Sequence, residues 1–524
     1  MTIQILNCIS IIVRGIGGKM NRSAGVIMHI ASLPGKFGIG TFGQEAYNYA
    51  DFLYKSGLKY WQILPLGQTG YGDSPYQSFS AFAGNPYFID FDLLAKDNLL
   101  NEDEYINENY GDNDNYINYG LLFKVKYEVL RKAYNNFTRI DSSILREEFE
   151  KFRVENRWWL EDYALYMAVK NHFNLVSWQE WDEDIKKREK EALERYKNLL
   201  KDNIEYWEFV QYLFFKQWND LKKYVNSKGI KIIGDIPIYV AEDSSDVWGN
   251  PEGYLIDTDT LKPISVAGCP PDAFSATGQL WGNPIYDWEY MDKQNYSWWI
   301  KRVRESLKLY DVVRIDHFRG FESYWKIPYG EETAINGEWV KGPGMRLFDA
   351  IKDALGEVNV IAEDLGFLTN EVKEFLEESG FPGMKVLQFA FDEREESNYL
   401  PHTYTNNCVA YTGTHDNDTF RGWYDVTAPR DDVKYCKEYL ALSDDEGYNW
   451  GFIRGVWSSV ADLAIASMQD FLDLGNEARI NMPSTLGDNW KWRISEGSYD
   501  GKLSDKIYRY TKMYGRCEEL IVNS

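Results

Sequence analysis

The chain has 524 residues, is 44% hydrophobic and carries a formal net charge of −24. Its length allows one elaborate domain or two to four smaller ones. Its charge disfavours nucleic acids, anionic membranes and polyanionic substrates as partners, because these recruit lysine and arginine. Five scattered cysteines without a CxxC pair and five histidines without an HExxH pattern favour a reducing cytoplasm and no zinc site.

The first predicted element is a short apolar stretch at residues 3–13. It is too short to span a bilayer, and it lacks the basic residues and the cleavage site of a signal peptide. Met20 stands just before the first clear strand. Residues 1–19 are therefore predicted to be a non-native or disordered extension, and residues 20–524 to form a single domain in a cytoplasmic protein.

A unit of apolar strand, polar motif and helix recurs along the rest of the chain. The candidate strands cover residues 25–30, 60–66, 230–238, 311–318, 358–365, 383–391, 408–416 and 478–484. Amphipathic helices are predicted between them, for example at 209–227, 345–355, 369–379 and 456–474. Such alternation is typical of a parallel sheet covered on both faces. Eight units favour an α/β fold of the closed (β/α)8 TIM-barrel type over an open sheet, and no GxGxxG motif follows the first strand.

The spacing of these units is uneven, which predicts two insertions. Residues 93–205, between the second and third strands, are charged and helical in pattern and are expected to form an inserted helical subdomain. Residues 240–295 are rich in glycine, proline, asparagine and tryptophan and are expected to form a long, ordered loop subdomain. The 16% of aromatic residues fits either a tyrosine-rich core or a surface with stacking platforms for sugars.

Polar residues follow several of the predicted strands at the point where each strand ends. They are Asp235, Arg314, Asp316, Glu363, Asp364, His415 and Asp416. In a barrel of parallel strands the carboxyl ends all lie on one face, where the chemistry is placed. One charged strand end can be a salt bridge at the rim. Carboxylates at four strand ends on one face instead indicate a functional site.

The residue types suggest acid–base and nucleophilic chemistry. Arg314 and Asp316 are two positions apart, so on a strand they point the same way, and the cation would keep the carboxylate ionised as a nucleophile or ion stabiliser. A partly desolvated Glu363 could donate a proton, and Asp416 adds a third carboxylate. A retaining glycosidase uses such a pair at about 5–5.5 Å. The alternatives are a rim ion network and a metal site, which the lack of a phosphate-binding glycine loop disfavours.

Long motifs resemble the 4-α-glucanotransferases called amylomaltase or disproportionating enzyme, in the α-amylase-like clan. In chain order they are ASLPGKFGIGTFG, LPLGQTGYGDSPYQSFSAFAGNP, GDIPIYVAEDSSDVW, GCPPDAFSATGQLWGNPIYDW, RIDHFRGFESYW, AEDLG, YTGTHDNDT and NMPSTLGDNWKWR. The resemblance runs from about residue 24 to about residue 515. It implies the clan's barrel, and the short tail after the last motif leaves little room for the separate C-terminal β domain of typical α-amylases.

The resemblance also implies roles for individual residues. Asp316 matches the nucleophile, Glu363 the general acid/base and Asp416 the carboxylate that helps to stabilise the transition state. The residues that match substrate contacts are Ser74, Tyr76, Asp235, Gln279, Trp281, Arg314, His415 and Asn481, with Tyr71 at a secondary glucan site. In the family Gln279 and Trp281 belong to a mobile loop over the site. Structural alternatives stay open: Tyr76 and Trp281 could be core aromatics, and His415 could orient Asp416 without touching sugar.

The activity implied is retaining transfer of α-1,4-glucan segments through a covalent glycosyl-enzyme, without cofactor or metal. Donors would be malto-oligosaccharides, amylose or glycogen-type glucans, and the acceptor would be the 4-hydroxyl of glucose or of another glucan. Two alternatives remain: an α-1,4-glucan hydrolase on the same barrel, and a glucan-binding protein without catalysis. The products formed from maltotriose distinguish transfer from hydrolysis, and unchanged activity of Asp316→Asn would favour the binding protein.

Overall fold

A computed structural model describes residues 21–70, 72–139, 143–271, 275–366, 368–392 and 397–517. The predicted extension at residues 1–19 and Tyr71 lie outside this part of the chain. Of the helices described, none is long and apolar enough to cross a membrane.

The described residues form twelve strands. They are β1 (Ser23–Ile27), β2 (Tyr60–Gln62), β3 (Lys231–Pro237), β4 (Ser265–Cys269), β5 (Gln279–Pro284), β6 (Val312–Asp316), β7 (Ser323–Pro328), β8 (Glu338–Lys341), β9 (Val360–Ala362), β10 (Gly383–Val386), β11 (Cys408–Tyr411) and β12 (Leu463–Ser467). Eight of them pair in parallel in the order β10-β11-β12-β1-β2-β3-β6-β9. The sheet closes where the Ala362 N–H of β9 donates to the Pro382 oxygen before β10, at 3.0 Å. The predicted (β/α)8 barrel is confirmed.

Helices cover the outside of the barrel and fill its insertions. They are α1 (Gln44–Lys55), α2 (Phe91–Lys96), α3 (Tyr119–Arg139), α4 (Ser143–His172), α5 (Glu183–Lys186), α6 (Lys190–Leu199), α7 (Lys201–Ser227), α8 (Ser245–Gly249), α9 (Trp288–Lys293), α10 (Ser297–Leu309), α11 (Met345–Leu355), α12 (Asn370–Ser379), α13 (Phe420–Gly422), α14 (Arg430–Tyr439), α15 (Tyr448–Trp457), α16 (Met468–Phe471) and α17 (Gly501–Met513). Their apolar stripes pack on the strands, which is why both faces of each barrel strand are buried.

The barrel interior is a packed core rather than a pore. Its buried side chains come from every barrel strand: Ile27, Tyr60, Ile233, Val312, Ile361, Met384, Val386, Val409, Tyr411, Leu463 and Ile465. β-branched and aromatic residues dominate this set, because they fit the pleated, inward-facing positions of a small barrel. The filled interior leaves the strand ends as the places where polar groups can reach a ligand.

The eighth strand was predicted at the wrong place. Residues 478–484 do not form it, and the helix predicted at 456–474 breaks after Trp457, where α15 ends. The strand is β12, whose sequence LAIAS pairs with β1 and β11. Alanine and leucine are strong helix formers, so this run has a helical propensity that the pairing between its two neighbours overrides. Residues 478–484 instead form a loop at the barrel mouth, where the Asn481 N–H donates to the His415 oxygen at 3.1 Å.

Two further layers surround the mouth of the barrel. Between β2 and β3 the chain forms α2–α7, with the long helices α4 and α7 packed together. After β3 it forms β4 and β5, which join β7 and β8 in a four-stranded antiparallel sheet of order β5-β4-β7-β8. This small sheet stands beside the carboxyl end of β6. Whether residues 93–205 and 240–295 act as separate subdomains stays a prediction.

Candidate active site

Arg314 lies at the centre of the polar residues at the strand ends. It is buried on β6 and its two terminal nitrogens contact different carboxylates: Nη1 lies 2.5 Å from Asp235 Oδ2 and Nη2 lies 3.1 Å from Asp316 Oδ1. The parallel register of β3 and β6 pairs Asp235 with Arg314, which explains the first contact. The Asp235 side chain is fully enclosed, whereas that of Asp316 is 30% exposed. Asp316 is therefore the carboxylate that a ligand can reach.

Glu363 follows β9 and is fixed by two main-chain donors. Its Oε2 accepts the His317 N–H at 2.7 Å, and its Oε1 accepts the Leu365 N–H at 2.8 Å. His317, the residue after Asp316, has a left-handed backbone with φ of 53°, which turns the chain sharply at the end of β6. This turn aims the His317 N–H at the neighbouring strand end and holds Glu363 beside Asp316.

The two carboxyl groups influence each other's protonation. Burial raises the pKa of Asp316, Arg314 opposes this, and Glu363 raises it further. Burial also raises the pKa of Glu363, while Arg314 and the two N–H donors act in the opposite direction. Neighbouring carboxyls in a desolvated site resist a second negative charge. Ionisation of one carboxyl therefore disfavours ionisation of the other.

Asp416 lies beyond β11 and is held by the loop at residues 478–484. Its Oδ1 accepts a hydrogen bond from Asn481 Nδ2 at 2.6 Å, and its main-chain oxygen accepts one from Arg479 Nη2 at 2.7 Å. Its Oδ2 lies 3.4 Å from Nε2 of the buried His415. Burial lowers the pKa of His415, so its imidazole is neutral near pH 7. Asp416 is thus oriented by an amide and a neutral imidazole.

Tyr76 connects the Asp416 side of the site to the Arg314 side. Its hydroxyl donates to Asp235 Oδ2 at 2.8 Å, and its ring stacks on His415 with centroids 5.2 Å apart and planes 17° apart. Burial raises the pKa of Tyr76 well above its usual value, so the phenol remains a donor. Ser74 lies in the same turn, where its Oγ accepts the Tyr76 N–H at 3.3 Å.

Gln279 and Trp281 reach the site from the small sheet. Both lie on β5, and the Trp281 Nε1–H donates to Gln279 Oε1 at 3.2 Å. The Trp281 ring stands edge-on to His317, with centroids 4.8 Å apart and planes 87° apart. Trp281 is half-buried at the rim, next to the turn that carries Asp316. The eleven residues predicted for the site thus lie in one connected set of contacts, with Tyr71 outside the described residues.

Asp364 is a polar strand-end residue that turns away from this cluster. Its side chain is buried, and its Oδ1 accepts the Met384 N–H of β10 at 2.7 Å. Asp364 therefore stabilises the contact between the end of β9 and β10, where the barrel closes. The adjacent Glu363 points into the site because successive residues of an extended chain face opposite ways.

Sequence reasoning missed two neighbours of the site, His29 and Trp490. His29 follows β1, and its Nδ1 accepts the Leu64 N–H at 3.2 Å, which places its proton on Nε2. Burial lowers the pKa of His29 to about 3, with a further effect from His415. The Trp490 ring lies 5.8 Å from Tyr76 and 5.9 Å from His415. The strand-end rule would have found His29; no pattern distinguishes Trp490 from other tryptophans.

Within the described ranges, no group of three or more His, Cys, Asp or Glu side chains is arranged to hold a metal ion. The site combines a nucleophile-type carboxylate beside an arginine, a carboxyl that can carry a proton, and a third carboxylate beside an aromatic platform. Such a set is suited to acid–base and nucleophilic chemistry at an acetal carbon.

Comparison with known proteins decides the family. Residues 28–498 match the sequence profile of the 4-α-glucanotransferase family. The chain belongs to this family. The family and class of enzyme predicted from the motifs are confirmed, as is the 4-α-glucanotransferase activity that they imply.

Individual relatives of the family align over nearly their whole length. The 4-α-glucanotransferase of Clostridium butyricum is 61% identical over 94% of this chain and 100% of its own length. That of Thermus thermophilus is 47% identical over 91% and 96%. The solved amylomaltase of Streptococcus agalactiae, in complex with acarbose, has a TM-score of 0.92 at 43% identity and covers 95% of this chain and 100% of its own.

Proposed function

We propose that this 4-α-glucanotransferase works by a retaining mechanism in which Asp316 is the nucleophile, Glu363 the acid and base, and Asp416 the stabilising carboxylate. The observation that carries the proposal is that these three side chains, from the ends of β6, β9 and β11, belong to one series of contacts. Glu363 accepts the N–H of His317, the residue after Asp316, and Asp316 is linked to Asp416 through Arg314, Asp235, Tyr76 and His415. A retaining mechanism needs two carboxyl groups on one glycosidic bond, and this cluster supplies them.

In the first step, an Asp316 oxygen attacks the anomeric carbon of the donor sugar while Glu363 protonates the departing glycosidic oxygen. The C–O bond to the leaving glucan breaks, and a β-linked glycosyl-enzyme forms. Arg314 favours these roles: its 3.1 Å contact stabilises negative charge on Asp316, whereas burial raises the pKa of Glu363 and so favours its protonated form. Arg314 thereby favours Asp316 as the nucleophile and Glu363 as the acid.

In the second step Glu363, now ionised, takes a proton from the 4-hydroxyl of an acceptor glucan. The acceptor oxygen attacks the anomeric carbon, the bond to Asp316 breaks, and the α linkage is restored. Water in place of the acceptor would give hydrolysis. Trp281 beside His317 limits the open space next to Asp316, and excluding water from this space favours transfer.

The substrate contacts follow from the same geometry. We assign Tyr76 as the platform for the donor sugar, since one face of its ring stacks on His415 while its hydroxyl is held by Asp235. Asp416, which Asn481 fixes and whose side chain is 41% exposed, is assigned as an acceptor for sugar hydroxyls.

The remaining assignments rest on the sequence and the family. Malto-oligosaccharides, amylose and glycogen-type glucans are the proposed donors, with glucose or another glucan as acceptor. We expect acarbose to bind here, as it does in the Streptococcus agalactiae amylomaltase. No cofactor, nucleic acid or membrane partner is proposed. The scattered cysteines, without a CxxC pair, favour a cytoplasmic location.

Incubation with maltotriose tests the activity. The wild-type protein should produce glucose and a ladder of longer oligosaccharides, and the Asp316→Asn variant should lose about 10³-fold or more in rate. Asp349→Asn, the same exchange at an exposed position of α11, serves as the control and should behave as wild type. Glucose and maltose without longer products would favour the hydrolase. Full activity of Asp316→Asn would reject the assigned nucleophile.

A further inference from the structure

A second cavity lies at the end of the barrel opposite the carboxylates. It encloses about 370 Å³ and is bordered by the amino-terminal ends of β1, β2, β3, β6 and β9. Lys231 at its edge and Asp235 in the active site are four residues apart on β3, which corresponds to roughly 13 Å along a strand. The cavity is therefore a separate space that the proposed reaction does not use.

The charge of this cavity is opposite to that of the protein. Four cationic side chains line it: Arg22, Lys59, Lys231 and Arg516. No aspartate or glutamate of the described residues does so. The whole chain has 81 acidic and 57 basic residues, so a cavity whose described charged lining residues are all basic runs against its composition.

None of these cations forms an ion pair with a carboxylate of the described residues, although the charge of Asp462 acts on both Arg22 and Arg516. Arg516 is fully buried and donates to main-chain oxygens, among them those of Trp457 and Ser23 at 2.7 and 2.9 Å. Arg22 likewise donates to carbonyls. Burial and the charge of Arg22 lower the pKa of Arg516 to about 9, and the charge of Asp462 acts in the opposite direction. Neither Lys59 nor Lys231 forms an ion pair within the described residues.

Asp311, the carboxylate just before β6, forms no ion pair with the four cations of the cavity. Asp311 precedes Val312, but its Oδ2 accepts hydrogen bonds from the Ile232 N–H and from Asn226, both at 2.8 Å, and its Oδ1 lies 3.5 Å from Lys222. Its hydrogen bonds and its ion pair are thus made to residues outside the cavity lining, although its charge also acts on the Tyr60 hydroxyl. Lys59 and Lys231, which line the cavity, are therefore the cations that can take an anion.

We infer that this cavity binds the phosphate group of a small phosphorylated metabolite. Its volume lies in the usual range for small ligands, about 300–1,000 Å³. Lysine ammonium groups bind phosphate as point charges. Lys59 and Lys231 stand at the opening and would contact the phosphate. The guanidinium groups of Arg22 and Arg516 are held by carbonyls and contribute a positive electrostatic potential. Tyr60 adds a hydroxyl whose pKa is raised by burial, so it stays a donor.

Cys517 provides a direct probe, because its half-buried side chain lines this cavity. Cys269, half-buried on β4 of the small sheet, provides an internal control. The intact protein is alkylated with a maleimide at constant ionic strength, with inorganic phosphate or glucose 1-phosphate, and modification of each cysteine is followed by mass spectrometry. We expect either ligand at saturation to slow modification of Cys517 at least 5-fold and to leave Cys269 unchanged.

The variant pair Lys59→Gln/Lys231→Gln should weaken glucose 1-phosphate binding at least 10-fold in calorimetry while keeping wild-type rates on maltotriose. The matched pair Lys197→Gln/Lys502→Gln makes the same change in net charge at exposed positions outside the cavity and should bind as wild type. No protection of Cys517 at millimolar ligand, or equal weakening by both pairs, would overturn the inference. Tighter binding of glucose 1-phosphate than of phosphate would support a metabolite. Equal binding would make the ligand the free ion and reject the metabolite.

Discussion

Replacing Arg314 by lysine tests the electrostatic arrangement of the active site directly. Arg314 contacts Asp235 at 2.5 Å through one terminal nitrogen and Asp316 at 3.1 Å through the other. A lysine keeps the charge but not the planar fork, so its single ammonium cannot hold both carboxylates in these positions. Asp235, which is fully enclosed, should keep the ammonium. Asp316 should then lose its direct donor.

The magnitude follows from the contact that is lost. A hydrogen bond to a charged group contributes about 1.5–3 kcal/mol, which corresponds to a factor of about 10 to 150 in rate if it acts on the transition state. We therefore expect the kcat/KM of Arg314→Lys on maltotriose to fall about 10- to 150-fold. Arg304→Lys, the same exchange at a more exposed arginine of α10, should change it less than 2-fold, by roughly the size of a surface effect.

The pH dependence gives a second readout with a defined sign. Asp316 acts as a nucleophile only when ionised, and Arg314 lowers its pKa. Moving the positive charge away raises that pKa, so the acid limb of the kcat/KM profile should shift to higher pH in Arg314→Lys. Thermal unfolding, measured in parallel, separates a loss of folded protein from a loss of rate. A folded variant with the wild-type rate and an unchanged acid limb would refute the reasoning.

Three further predictions concern single side chains. Asn481→Ala removes the 2.6 Å donor to Asp416, and initial rates on maltotriose should fall about 10-fold or more; a wild-type rate would contradict this. Trp281→Ala opens space beside His317 to water, so the ratio of maltotetraose and longer products to total glucose released should fall several-fold; an unchanged ratio would contradict it. Lys126 is fully buried, and burial lowers its pKa to about 7. In the unfolded chain a lysine has a pKa of about 10.4, so between these two pKa values the unfolded state binds more protons than the folded state. The free energy of unfolding, measured in urea, should therefore increase from about pH 6 to about pH 9, and this increase should be absent in Lys126→Met.

Seven of the eight barrel strands could be predicted because each is a short apolar run followed by polar residues. β6 and β9 are examples: their interior positions face packed core on both sides, so their sequences contain little but valine, isoleucine and alanine around the functional residues. β12 has the same burial but is built largely from alanine and leucine, which also suit a helix. Its strand conformation comes from pairing with β1 and β11, whose sequences lie far away in the chain.

The site could be predicted as a set of strand-end residues but not as a network. Asn481 lies in a segment predicted as a strand, and only the folded chain brings its amide to Asp416, 65 residues away. Tyr76 reaches Asp235 across 159 residues. No local pattern encodes these contacts, because they depend on which loops the closed barrel places at its mouth.

The sequence by itself determined which chemical groups are available and where each stands relative to its own strand, since alternation along an extended chain acts over a few residues. The tertiary structure alone decided which groups meet. Arg314 contacts Asp316 because both lie on β6, but it contacts Asp235 because β3 and β6 are neighbours in a register that pairs those two residues. Barrel closure brings strand ends from distant parts of the chain to one face. It thereby turns carboxylates from separate strands into one site.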